Sequence, residues 1–160
     1  MEPSVINVPT RGQNRIREIL DSIKNGTYRS GIVFHVGPVE QRMKDFASRN
    51  GVAIAKGNLY MSSDSVQHAV RTAKKKAGKD VSEAELVAFP KTRRSMDLYY
   101  ETTKGAFIYV DEANKAKYVI EPNYEIGAGT KGKKRVNFIT ASRLKSTENF
   151  HNDTQRYIKI

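Results

Sequence analysis

Cysteine is absent from this chain of 160 residues. Disulfides, thiolate catalysis and cysteine-built metal sites are therefore excluded, and a cytosolic or virion setting is compatible. No run approaches the roughly 18 apolar residues of a membrane span, and no apolar segment follows Met1 as a signal peptide would require. The expected localisation is cytoplasmic or virion-associated, without secretion by a signal peptide. Histidine is scarce: His35, His68 and His151 are the only three, none at HxxxH spacing, and the acids are scattered. No metal set and no cofactor is expected from such a distribution. A G-x-S-x-G elbow is missing, which argues against a Ser-His-Asp hydrolase. The glycines between 127 and 132 lack both the GxxxxGK[ST] spacing and a following helix, so a flexible hairpin loop is expected there rather than a phosphate cradle.

What is abundant is positive charge. Lys and Arg number 28 against 17 Asp and Glu, a net +11, with 38% hydrophobic residues, enough for one domain with a modest core. The excess is uneven. From Ser65 to Lys79 there are five cations and no acid, and from Ile126 to Thr147 six cations and no acid. Lys91, Arg93 and Arg94 form a third group. Each run alone reads as solvated surface, but three acid-free stretches in one small domain favour a polyanion, nucleic acid before membrane. Lys74, Lys76, Arg93, Arg94, Lys133, Lys134 and Arg143 are the expected nucleic-acid contacts.

Residues 1 to 13 read as a loose leader. "NRIREILDSIKNG" has Asn14 as an N-cap, Ile16, Ile19, Leu20 and Ile23 at helical spacing, and Gly26 as a stop. "GIVFHVGPV" predicts a strand closed by Gly37-Pro38, and "VEQRMKDFASRNG" a helix with Val39, Met43, Phe46 and Ala47 inward. "VAIAKGNLYMSS" is extended. It leads into a helix over "SSDSVQHAVRTAKKKAG", capped by Ser63 or Asp64. Ser82-x-x-Glu85 opens a short helix that runs to Pro90. After Pro90 the period changes. "SMDLYYET", "GAFIYVDE", "AKYVIEPN" and "KRVNFITASR" are rich in Tyr, Val, Ile and Phe and separated by turn signals. The expected class is α+β, with N-terminal helices packed on a C-terminal four-stranded antiparallel sheet, and Tyr99, Ile108, Tyr118 and Phe138 in its strands.

In the helix after Ser62, Val66, Ala69, Val70, Ala73 and Ala77 fall on one stripe at about 100° per residue. The stripe is mostly Ala and Val, too slight an apolar face for a membrane surface. His68 falls nearly opposite, with Arg71 and Lys75 beside it at i+3 and i+7. A solvent-facing helix histidine is the plain alternative. Histidine, hydroxyls and cations together suit metal-independent RNA cleavage, in which a 2′-hydroxyl attacks its own phosphate. A near-neutral base removes the proton and cations stabilise the phosphorane. In the last strand Val136, Phe138, Thr140 and Ser142 share a face by alternation. There the hydroxyls either end a core face or meet a phosphate. His35 is an outside candidate, and His151 is expected at the surface.

Taken in order, "FHVGPV", "GNLYMSSDSVQHAVRTAKKKAG", "SEAELVAFP", "DLYYET" and "VNFITASRLK" resemble the phage-associated branch of the barnase–EndoU–colicin–RelE nuclease superfamily. Domains of this kind are fused to MuF-type phage head proteins or carried by prophages. The resemblance covers roughly residues 30–145, leaving 1–29 as a leader and helix and 146–160 as a C-terminal tail. It implies two helices packed on a four-stranded antiparallel sheet and a metal-independent endoribonuclease, a phage or prophage toxin or effector with a neutralising, immunity-type partner. The family's helix histidine and last-strand hydroxyl fall on His68 and Thr140; Arg71 and Lys75, as the cations flanking His68, are expected to stabilise the phosphate. Many relatives carry a second histidine, HxxxxH, where this chain has Lys74 to Lys76. Either a lysine takes that electrostatic role or the acid–base pair is incomplete. The alternative is a non-catalytic basic nucleic-acid-binding or virion-internal phage protein. An enzyme needs His68, a cation and Thr140 or Ser142 in one cleft, whereas a binder needs only a positive face. RNA is expected over DNA, and no membrane partner. A protein-interaction module would need an exposed apolar pattern, and none is seen.

Overall fold

Two reciprocal hydrogen bonds start the first helix. The Thr10 hydroxyl accepts from the Gln13 amide at 3.1 Å, and the Gln13 side chain accepts from the Thr10 amide at 3.0 Å. Helix α1 (Arg11–Asn25) therefore begins before Asn14, and the expected Asn14 cap is corrected to Thr10. It ends where Gly26 turns left-handed at φ 76°, a conformation glycine adopts without a Cβ penalty. A computed structural model describes residues 8–71, 78, 80–127 and 134–160.

The chain continues through β1 (Val33–Pro38), α2 (Gln41–Asn50), β2 (Asn58–Ser62) and α3 (Ser63–Val70), then α4 (Glu83–Thr92) with a 3-10 turn over Arg93–Ser95. The meander follows: β3 (Asp97–Glu101), β4 (Ala106–Asp111), β5 (Ala116–Ile126) and β6 (Lys134–Arg143). Helix α5 (Glu148–Asn152) and β7 (Tyr157–Lys159) close it. Tyr99, Ile108, Tyr118 and Phe138 lie in β3 to β6, which pair antiparallel in sequence order.

The class is α+β, but the sheet is larger than expected. Among the described residues it has seven strands in the order β1-β2-β6-β5-β4-β3-β7, all antiparallel except β2 with β6. The β1–β2 hairpin joins the meander because Leu59 and Tyr60 pair in parallel with Asn137 and Phe138. At the far edge β7 pairs with β3, and Phe150 of α5 is buried against Tyr99 at 5.4 Å. Residues 146–160, expected as a tail, are thus part of the fold.

Period-2 alternation divides the sheet cleanly. Phe34, Val36, Leu59, Met61, Leu98, Phe107, Tyr109, Tyr118, Ile120 and Ile139 face one way, into a core shared with α1 to α4. Ile16, Met43, Val66 and Phe89 are fully buried in it. Phe89 stacks on Tyr118 with centroids 4.0 Å apart. This packing carries α4 through Pro90 to Thr92, two residues past the expected stop. On the other face, Tyr99, Ile108 and Val110 are covered by Phe150. The part over β5, β6, β2 and β1 stays open, and it holds the site.

Arg93, expected to contact nucleic acid, is corrected: it is 1% exposed. Its guanidinium lies 3.7 Å from the Glu40 carboxylate and donates to Tyr109 Oη at 3.5 Å and to the Pro90 carbonyl at 3.3 Å. Tyr109 in turn donates to Glu40, and burial first, then Glu40, drive its pKa well above the usual phenol value. Gly37 makes room, since a Cβ there would stand 2.9 Å from Arg93 Nη2. An arginine enters a core only when paired and hydrogen-bonded in this way.

Candidate active site

Helix α3 is launched by a second reciprocal cap, in which Ser62 and Ser65 each accept from the other's backbone amide at 3.0–3.1 Å. Ser62, rather than Ser63 or Asp64, is the N-cap. The helix buries Val66 and Ala69 completely and leaves His68 exposed. Its axis stops sooner than the sequence pattern implies. Arg71, at φ −64° and ψ 155°, is the C-cap, where the chain leaves the helix. Lys74, Lys75 and Lys76, with the second half of the expected helix, lie outside the described residues, as do Lys133 and the glycine-rich 128–132.

Where β2 ends at Ser62, α3 takes over the flank of β6. The exposed face of α3 and the open face of the sheet then form two walls of one cleft of about 910 Å³. Ser65 and His68 come from the helix, Lys117, Val119 and Glu121 from β5, and Phe138, Thr140 and Ser142 from β6. Strand register fixes their spacing: Lys117 pairs with Ser142, Val119 with Thr140, and Glu121 with Phe138. Lys104 stands at the rim, on the β3–β4 turn. His68, Thr140 and Ser142 are thereby brought together, as an active centre requires. Among the described residues the cations that join them are Lys117 and Lys104, neither of which was expected from the sequence.

Lys117 is half-buried, and its pKa is lowered first by that burial and then by the charges of Lys104 and Arg156, against a smaller opposing pull from Glu101. Glu101 is itself engaged. Burial pushes its carboxyl up, but hydrogen bonds from the Thr103 hydroxyl, the Thr103 amide (2.7 Å) and the Lys104 amide, with Arg156 beyond, bring it below its usual value. Asp64, on the cleft wall, is held low mainly by the Tyr28 hydroxyl at 2.5 Å and the Gly31 amide at 2.9 Å. It ties α3 to the segment before β1.

A depressed lysine pKa means the unfolded chain holds that proton more tightly, so the charged side chain opposes folding at neutral pH. The opposition fades as pH rises toward the ordinary lysine value of 10.5. Lys117→Met, similar in length and uncharged, is expected to unfold at higher urea than the wild type at neutral pH, with the difference shrinking in alkaline buffer. A gain that persists unchanged at high pH would mean packing rather than charge is responsible. A charged group kept at a cost in stability is common at functional sites.

The remaining expected contacts divide. Arg143 donates to the Asp80 carbonyl at 2.8 Å, the Asn114 carbonyl at 2.5 Å and Glu85 at 2.8 Å, so its guanidinium ties β6 to the segments before α4 and β5. Arg94 is exposed on the 3-10 turn, outside the cleft. Lys134 is exposed at the start of β6, its ammonium 5.4 Å from the centre of the Tyr60 ring. His35 sits on β1 with its ring nearly perpendicular to that of Tyr60, centroids 6.1 Å apart, outside the cleft. His151 is exposed and bonds Glu112 at 2.7 Å. Among the described residues no cluster of three or more His, Asp or Glu is arranged to hold a metal ion, and no helix is long and apolar enough to cross a membrane.

Compared with protein-family models, curated proteins and solved structures, the chain finds no match.

Proposed function

We propose that this chain is a metal-independent endoribonuclease, of the phage or prophage effector type, that cleaves RNA in the cleft between α3 and β6. One observation carries the reading: His68, Lys117, Thr140 and Ser142 line the same cleft although they come from three separate elements. A purely electrostatic binder needs no such convergence.

His68 takes the proton from a ribose 2′-hydroxyl. The freed oxygen attacks the adjacent phosphorus, the bond to the 5′-oxygen breaks, and that oxygen leaves with a proton. Lys117 is suited to supply that proton, because burial weakens its hold on it. Its charge, together with the Thr140 and Ser142 hydroxyls, stabilises the extra negative charge on the phosphorane. Lys104 at the rim draws the strand in. In this scheme Lys117 takes the role that the family resemblance gives to a second histidine. An immunity-type protein would act by covering the cleft, and RNA is the substrate because only a 2′-hydroxyl supplies the nucleophile.

The test is incubation of the full chain with total tRNA and rRNA in EDTA. Fragments ending in 2′,3′-cyclic phosphate and 5′-hydroxyl are expected, at a rate indifferent to the chelator. Fragments ending in 5′-phosphate would refute the mechanism. Intact RNA under all conditions would leave a binding protein.

A further inference from the structure

We infer that the open sheet face beyond the cleft is a stacking platform for the unpaired bases of a single-stranded nucleic acid. This rests on the proposed reading of the cleft for the strand it extends, but it is measured independently of cleavage. The platform is a row of rings. Tyr60 pairs in register with Phe138, and Tyr124 stacks on Phe138 with centroids 5.5 Å apart and planes 24° from parallel. Phe138 also lines the cleft, so the row and the reacting centre are one continuous surface. Lys134 stands over Tyr60, a cation placed where a phosphate would pass between stacked bases.

The arrangement is built from beneath. Between Glu121 and Tyr124 the β5–β6 register shifts, and Asn123 takes a left-handed φ of 53°. The shift sets Tyr124, instead of Asn123, opposite Val136. An extra residue in one strand turns the next side chain to the other face, and here it brings Tyr124 onto the open one. Asn137, fully buried, holds the bulge: its Oδ1 accepts from Asn123 N at 3.2 Å and Ala55 N at 2.9 Å, and its Nδ2 donates to the carbonyls of Ala55 and Asn58.

Cross-strand aromatic pairs also stabilise sheets, but a pair serving only that end gains by being covered. Tyr124 is 43% exposed. An exposed ring beside two half-buried ones, with a cation at the row and a net charge of +11, is the chemistry that binds single strands without reading sequence. A duplex keeps its bases stacked on each other and offers such rings nothing.

Single-stranded DNA is the probe, since it has bases to stack and no 2′-hydroxyl to react. Fluorescence anisotropy of a labelled mixed-sequence strand of roughly 12 nucleotides is compared with the same strand as a duplex. The wild-type chain is expected to prefer the single strand. Tyr124→Ala should weaken that binding by roughly 5- to 150-fold and leave duplex binding unchanged, and Tyr124→Phe should restore it. Equal affinity for the two forms, no binding of the single strand, or no effect of Tyr124→Ala would overturn the platform. If Tyr124 governs single-strand binding but no RNA is cut, the platform stands and the ribonuclease reading falls. If RNA is cut through His68 and Tyr124→Ala binds as wild type, the reverse holds.

Discussion

His68→Ala is expected to lower RNA cleavage by about 10²–10⁴-fold, the ordinary cost of losing a general base, without unfolding the chain. The argument for retained stability is geometric. Helix α3 is anchored by Val66 and Ala69, both at 0% exposure, while His68 is on its exposed side. RNA affinity should change little, because the phosphate contacts assigned to Lys117, Lys104 and the two hydroxyls remain. The measurements are initial cleavage rates, a urea melt and anisotropy with the uncleaved single strand. An unfolded variant would make the histidine structural. A wild-type rate would move the base elsewhere, and His35 would be next, although its ring lies on β1 outside the cleft.

Arg93→Ala is expected to cost about 3–5 kcal/mol of stability, the usual penalty for removing one partner of a buried ion pair. The deletion leaves the Glu40 carboxylate, 16% exposed at the N-cap of α2, with Tyr109 and with Arg42 at 3.4 Å, and leaves a void where the guanidinium filled the core. A fall in the urea midpoint at constant slope would measure it. Exchanging both ends of the pair, with Arg93→Met and Glu40→Gln, should recover part of the loss, since no unpaired charge then remains buried. A single variant as stable as the wild type would mean that water reaches Glu40 and the pair is not sealed.

Much of the helical layer was legible because each helix writes its buried face at a period the eye can follow. Ile16, Ile19 and Leu20, and likewise Met43, Phe46 and Ala47, are buried as their spacing implies. The meander was legible for the same reason, since consecutive strands joined by short turns carry alternation and turn residues together. What stayed hidden depends on partners far apart in the chain. Nothing in "GNLYMSS" says that it pairs with "RVNFIT", and the three residues of β7 are too few to show a period. Burial of Arg93 was hidden because a basic residue looks the same in sequence whether it meets water or Glu40. The halt of α3 at Val70 was missed because the alanines and lysines after it are good helix formers. At the site, His68 and Thr140 could be named from pattern and resemblance. Lys117 could not, because its place opposite Ser142 depends on a β5–β6 register that shifts by one residue between Glu121 and Tyr124. The one available signal was its position between Ala116 and Tyr118, which put it on the face of β5 turned from the core.

The parallel seam between β2 and β6 has a consequence for the order of events in the life of the chain. Everything from α1 to α3 can be made, and can pack locally, before the strand that carries Thr140 and Ser142 exists. The seam ties residues 59 and 60 to 137 and 138, a closure of high sequence separation, and such closures are slow to form. The histidine is therefore synthesised early, and its hydroxyl partners arrive late. A chain whose β6 is not yet in place lacks the wall that Thr140 and Ser142 supply, so the cleft is completed only when the last long strand of the meander pairs.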